Sequence, residues 1–170
     1  VNFVIWLSPV GVFCLIFSTF SSLGISIIFT LINYFLIVVG VLIFHAVFTY
    51  SLLLTSLAKI NPFIFFSKMK EAIIFAFSTS SSSATMPVTL KTVEEKLGVD
   101  KSVSSFCIPL GTTINMDGTA IMQGVATVFI AQVYQVDLSM MEYLMVIITA
   151  TLASIGTAGV PGVGLIMLAM

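Results

Sequence analysis

Residues 111–119, read G-T-T-I-N-M-D-G-T, set one carboxylate among hydroxyls, an amide and glycines inside an otherwise apolar stretch. Asp117 is the only acidic residue between Asp100 and Asp137, and no lysine or arginine shares its span. A carboxylate at membrane depth costs about several kcal/mol unless a cation compensates it, so the expected partner is an ion. Pro109, Gly111 and Gly118 can interrupt a helix, and an interruption that lines a cavity frees backbone carbonyls to act as ligands. Those carbonyls, with oxygen from Asp117, Asn115 and Thr119, suit a hard cation. The competing reading is a kinked helix whose Asp117 is protonated and hydrogen-bonded.

The solvent around these residues follows from composition. Of the 170 residues 59% are hydrophobic and only 8% charged, with 15 phenylalanines, too little polar surface for a water-soluble domain. An all-α integral membrane protein is expected. No Asp, Glu, Lys or Arg precedes Lys59, a run far beyond the roughly 20 apolar residues that one helix needs to cross a bilayer. Two spans must fold from it. A signal peptide's charged start and cleavage pattern are absent, and a chain with no initiator Met that stops in an apolar run reads as an internal fragment. Cys14 and Cys107 lack metal-type spacing and read as small apolar residues; His45, alone in an apolar segment, reads as a hydrogen-bonded packing residue rather than a proton relay, with no partner visible in the sequence. Arginine is absent and no basic patch offers a nucleic-acid surface.

Lysines orient the chain. All six fall in two clusters, Lys59, Lys68 and Lys70, then Lys91, Lys96 and Lys101, and the positive-inside bias places both in the cytoplasm. A spanning segment between them would put one cluster outside, so a re-entrant hairpin is expected instead. Its tip is the serine run 80–83, where hydroxyls satisfy backbone groups left free at membrane depth; residues 72–77 and the stretch after Pro87 form its arms. Residues 3–20 form one span, 21–24 an external turn, and 27–57 a long return span. After Lys101 the chain crosses outward through the interrupted segment 102–136. Residues 143–153 re-enter, and four glycines and a proline within 154–164 make a second hairpin tip. Two polar tips entering from opposite faces beside a broken helix is the geometry of an alternating-access transporter.

Three segments, T-S-S-S-S-A-T-M-P-V-T from Thr79, I-N-M-D-G-T from Ile114 and S-I-G-T-A-G-V-P-G from Ser154, strongly resemble the glutamate transporter family of sodium:dicarboxylate symporters. This resemblance covers nearly the whole chain, with order and spacing in agreement. It implies a homotrimeric multi-pass membrane protein, each protomer having a fixed scaffold domain and a transport domain that moves as an elevator. Residues 1–24 would be the last scaffold helix, and 27–170 the transport domain without its final helix. By the same resemblance Ser80, Ser81 and Ser82 hold substrate at the first tip, with Ser82 supplying a hydroxyl, and Thr119 contacts it from the broken helix. Val160, Pro161, Gly162, Val163 and Gly164 close over it. Sodium ligands carry over to Gly111, Thr113, Asn115, Met116 and Asp117, and for another ion to the carbonyls of Ser154, Ile155 and Thr157. Glycine suits a lid because backbone amides can approach a carboxylate where no side chain intervenes.

Some family members carry an arginine where Ser80 stands here, and others carry it in the helix after the second hairpin. This sequence has neither, so it does not read out side-chain selectivity; the resemblance implies sodium-coupled symport of an acidic amino acid or C4 dicarboxylate, with a neutral amino-acid carrier as the alternative. No G-x-x-x-x-G-K-[ST] nucleotide site occurs. An intramembrane hydrolase using a serine of the 80–83 run with His45 as base lacks a G-x-S-x-G turn and a partner for the histidine. A passive channel is the third class; it would conduct without saturable, coupled uptake.

Overall fold

The computed structural model describes residues 2–24 and 27–169, and every regular element among them is helical. Two compact units, Val1–Ile37 and Val38–Met170, divide the chain inside α2. The domain boundary expected at 24–27 falls where residues 25 and 26 lie outside those described.

The first unit holds α1 (Asn2–Leu23) and the start of α2 (Ile27–Phe44). Pro9 lies within α1, and the helix continues into the expected turn at 21–24, ending where Gly24, at φ 76°, donates to the Phe20 carbonyl at 3.0 Å. Positive φ costs glycine nothing, so it terminates the helix there.

In the second unit, α2 passes without a break into a π-turn (His45–Thr49) and α3 (Tyr50–Ser56). Ile28–Ser56 is long and apolar enough to cross a membrane. There follow α4 (Pro62–Thr79), α5 (Ser82–Leu97), α6 (Lys101–Ile114), α7 (Asp117–Val133), α8 (Met140–Ile155) and α9 (Val163–Ala169). Asn61 caps α4 by accepting from Phe63 N–H, Asp100 caps α6 by accepting from Ser102 N–H, and Ser139 with Glu142 forms a reciprocal capping box on α8. Each supplies an acceptor to amides that a first turn leaves free. Asp100 is held below the usual carboxylate range by the Ser102 hydroxyl and amide, and Glu142 by the amide and hydroxyl of Ser139.

The interior inverts the pattern of a soluble protein. Buried residues include Ala72, Ala126 and Ala150 together with Ser104, Gln123, Thr92 and Ser154, while Phe63, Phe77 and Met140 project outward. Small and hydroxyl-bearing residues let helices approach closely, and apolar side chains are at no disadvantage facing lipid. Ser104, 1% exposed, donates to Glu94 and so joins α6 to α5; an ion pair from Lys96 to Glu71 joins α5 to α4.

Two details differ from expectation. The arms of the first hairpin are longer than 72–77 and the post-Pro87 stretch: α4 starts at Pro62 and α5 at Ser82, with Pro87 inside α5. Ser81 explains the early start, because its hydroxyl accepts from Ala84 N–H at 3.2 Å and caps the helix ahead of the proline. The second difference is the site of the break between α6 and α7. It falls at Asn115 and Met116, with Pro109 and Gly111 absorbed into α6 and Gly118 into α7.

Candidate functional site

The first tip is a two-residue reversal. Ser80 takes the left-handed conformation (φ 49°) and donates its N–H to the Ala76 carbonyl at 2.9 Å; Ser81 is extended and caps α5. A second tip spans residues 156–162 between α8 and α9, where Gly162 adopts φ 81°. These tips touch. Ser81 Oγ donates to the Gly159 carbonyl at 2.7 Å, and Ser83 N–H donates to the same oxygen at 3.1 Å. A Cβ on Gly159 would lie 2.9 Å from Ser83 Oγ and 3.2 Å from Ser82 Cβ, so glycine is required by the contact itself.

Beside the joined tips lies a cavity of about 340 Å³, a volume within the small-ligand range. Ser80 and Ser82 line it from the first tip, Met116 and Thr119 from the broken helix, and Thr157, Val160, Gly162 and Gly164 from the second. Among the residues expected at substrate, Ser81 is instead buried under Gly159, and Pro161 and Val163 are not in the lining. Gly164 approaches α7 closely; a Cβ there would sit 3.1 Å from Thr119 Cγ2 and 3.2 Å from Met122 Cε. Gln123 Nε2 donates to the Gly164 carbonyl at 3.2 Å and leaves its buried Oε1 without a partner among the described residues.

At the break, Asn115 and Met116 leave helical geometry, and Met116 N–H turns from the Thr112 carbonyl to that of Ile114 at 3.2 Å. The Gly111 carbonyl accepts from Asn115 N–H, and Thr113 Oγ1 donates to the Leu110 carbonyl. Asp117 opens α7. Its Oδ2 accepts from the Tyr50 hydroxyl at 2.9 Å and lies 3.3 Å from His45 Nε2. The hydrogen-bond partner that the sequence left unseen for His45 is Asp117, and Asp117 has protein partners of the kind the hydrogen-bonded reading of its carboxyl requires. The π-turn makes the meeting possible: residues five apart point about 140° from each other on a regular α-helix, but an i to i+5 hydrogen bond, here Tyr50 N–H to His45 carbonyl, stacks them on one side. Their rings meet edge to face at 5.0 Å.

The second set of expected ion ligands surrounds the end of α8. Ser154 and Thr157 are buried, and their hydroxyls donate to the Thr151 and Ala153 carbonyls, while the Ser154 carbonyl accepts from Thr157 N–H. Ile155 is exposed. Oxygen donors with one carboxylate fit a hard monovalent cation better than a transition metal, and no group of three His, Cys, Asp or Glu occurs among the described residues. His45 faces Asp117, and among the described residues no hydrogen bond joins it to a serine.

Tyr50, Met122, Gln123 and Gly159 were not singled out from sequence. Only Gly159 carried a usable signal, its place in the glycine-rich run.

The whole chain, residues 1–170, matches the family described as the sodium:dicarboxylate symporter family. It is 43% identical over 165 residues to an excitatory amino acid transporter of Caenorhabditis elegans, covering 96% of this chain and 33% of that protein. Human excitatory amino acid transporter 1 is 43% identical over 166 residues, covering 96% of this chain and 30% of its own. Its rat counterpart reaches 48% over 130 residues, 76% of this chain and 24% of the relative. The chain thus spans about a quarter to a third of the length of these relatives.

Proposed function

The chain belongs to the sodium:dicarboxylate symporter family, and on that premise we propose that the whole protein is a sodium-coupled secondary active symporter of acidic amino acids or C4 dicarboxylates. Its relatives are named as transporters of excitatory amino acids, and this is a membrane transport protein rather than an enzyme. The observation that carries the reading is the contact of two hairpin tips at Ser81 and Gly159 beside a helix broken next to Asp117. In this reading the tips are re-entrant and approach from opposite sides of the bilayer. Substrate occupies the cavity between Ser80, Ser82, Thr119 and the 160–164 segment. Sodium binds at the break, through Gly111, Thr113, Asn115, Met116 and Asp117, and at the end of α8, through Ser154, Ile155 and Thr157.

Coupling follows from electrostatics. A cation beside Asp117 and the carbonyls at the break offsets the cost of a partly buried carboxylate whose protein partners are Tyr50 and His45, and substrate carboxylates are in turn favoured near bound cations. Residues 1–24 belong to a static trimeric scaffold and 27–170 to a transport domain that carries its cargo across as an elevator. Lid opening consists of separating the second tip from the first, which breaks the two hydrogen bonds to the Gly159 carbonyl.

A neutral amino-acid substrate is favoured by one observation: among the described residues, none that lines the cavity is cationic. A second carboxylate dehydrated in such a site needs an arginine or equivalent. Full-length protein in sealed liposomes decides both points. Labelled aspartate should accumulate only under an inward sodium gradient, and excess unlabelled succinate or glutamate should compete. Uptake indifferent to sodium would overturn symport; competition by serine and alanine but not by succinate would establish the neutral carrier.

A further inference from the structure

The apolar span Ile28–Ser56 ends in a tight reversal. Ala58 N–H reaches the Leu53 carbonyl at 3.4 Å and Ile60 N–H the Leu54 carbonyl at 3.0 Å, with Lys59 held at φ 54°. Asn61 then caps α4, and the chain runs back alongside α3. Between the two helices Tyr50, Leu53, Leu54, Ala58 and Phe65 line an open, groove-like cavity of about 370 Å³, separate from the one at the tips. The Tyr50 hydroxyl, the sole polar atom on those side chains, is engaged by Asp117 at 2.9 Å. Water entering this cavity would find almost no side-chain partner, so the cavity suits hydrocarbon. Its margin is cationic. Lys59 follows Ala58 directly, and Lys68 lies one turn beyond Phe65 on the same face of α4. Both are exposed, and among the described residues neither has a carboxylate partner.

We propose that this cavity is a lipid site that takes one acyl chain of an anionic phospholipid, with the headgroup phosphate beside Lys59 and Lys68. A hydrocarbon slot at the end of a membrane span, rimmed by unpaired lysines, matches both halves of such a molecule. Tyr50 forms a wall of the slot and also donates to Asp117, so the bound chain supports the ring that holds the carboxylate. Bilayer composition is thereby linked to the proposed cation site. The lipid site itself rests on membrane placement of the span, while this link also rests on the proposed role of Asp117.

The test uses full-length protein in phosphatidylcholine liposomes with a trace of phosphatidylglycerol carrying a diazirine in one acyl chain, irradiated and mapped by peptide mass spectrometry. The matching phosphatidylcholine probe is the comparison. Adducts should concentrate on peptides holding residues 50–58 and 62–66, about fivefold or more in favour of the net anionic glycerol headgroup over the zwitterionic choline one, as expected when at least one of the two lysines is attracted to the net charge. Leu54→Trp and Ala58→Leu, which fill the slot, should each remove most of that label. Lys59→Gln with Lys68→Gln should equalise the two headgroups and keep the label in place. Even labelling along residues 28–56, unaffected by the filling variants, would mean surrounding lipid only and overturn the site. Absence of adducts from residues 50–66 would also overturn it, showing that another segment of the full chain or a second copy covers the cavity. If Leu54→Trp fails to fold, Ala58→Leu and the wild-type headgroup comparison still decide. Labelling needs no transport, so failure of the symport reading leaves this result standing, and the reverse.

Discussion

Ser81 and Gly159, 78 residues apart, share a 2.7 Å hydrogen bond from the serine hydroxyl to the glycine carbonyl, and it fastens one helical hairpin tip to the other. Because the amide of Ser83 converges on the same oxygen, the contact is a two-donor clasp on a residue with no room for a side chain.

Removing half of the clasp should loosen it without dismantling it. Ser81→Ala leaves the Ser83 donor in place and should raise the substrate KM of the full-length transporter about fivefold, the value of one hydrogen bond. Gly159→Ala forces backbone apart and should cost about tenfold or more. Uptake at matched membrane abundance measures both. Equal, negligible effects would show that the tips separate freely in the working cycle and that the clasp is incidental.

Asp117 should matter through its charge. Asp117→Asn preserves shape and should move the sodium dependence of uptake about 10- to 100-fold to higher concentration, the range for a charged ligand removed from a partly buried site. Tyr50→Phe should shift it less, and should add little in the Asp117→Asn background, because groups in direct contact are not additive. An unchanged sodium curve in Asp117→Asn would exclude the residue from cation binding.

The topology proposed for the tips is checked by thiol access. Cys14 and Cys107 are exposed, so both are first replaced by Ala. A cysteine at Ser82 should then react with a membrane-impermeant reagent from the cytoplasmic side and one at Ala158 from the outside. Sodium and substrate together should protect each. Both sides are sampled under every condition, since access depends on the populated state. Reaction of the Ser82 cysteine from outside alone would remove the re-entrant assignment.

Acid should fray the start of α6. The Asp100 carboxyl is held below its ordinary value by Ser102, so its contribution is fully present above that ordinary value, about 3.9, and is lost as pH falls through the depressed one. Amide-exchange protection of the first turn of α6, corrected for intrinsic rates, should decline in that acid window. Asp100→Asn keeps a capping side chain without a titrating group and should show no such decline. A decline of the same size in that variant would point to a different carboxylate.

Legibility in the sequence depended on how local each feature was. Serines at 80–83, the glycine–proline run at 156–164 and the N-M-D at 115–117 each mark an interruption by what they do to their own backbone, and the structure interrupts its helices at or beside all three. Where caps compete with breakers the reading shifted. Ser81 started α5 ahead of Pro87, and the break fell at Asn115 and Met116 rather than at Pro109 or Gly111.

What the amino-acid sequence determined by itself was therefore the solvent, the helical class, the family motifs and the places where helices stop, because composition and neighbouring residues suffice for these. Only the tertiary structure decided which polar groups meet. The segment 28–56 is apolar nearly all round, so no polar stripe told which way His45 and Tyr50 point. The π-turn turns both toward Asp117 at the start of α7, 72 and 67 residues distant. Likewise the hydroxyl of Ser81, beside the Ser82 hydroxyl expected at substrate, is spent on Gly159, and an amide as inconspicuous as Gln123 reaches the Gly164 carbonyl. Hydrogen bonds are satisfied by whatever lies within about 3 Å, and that is set by long-range packing rather than by neighbours in the chain.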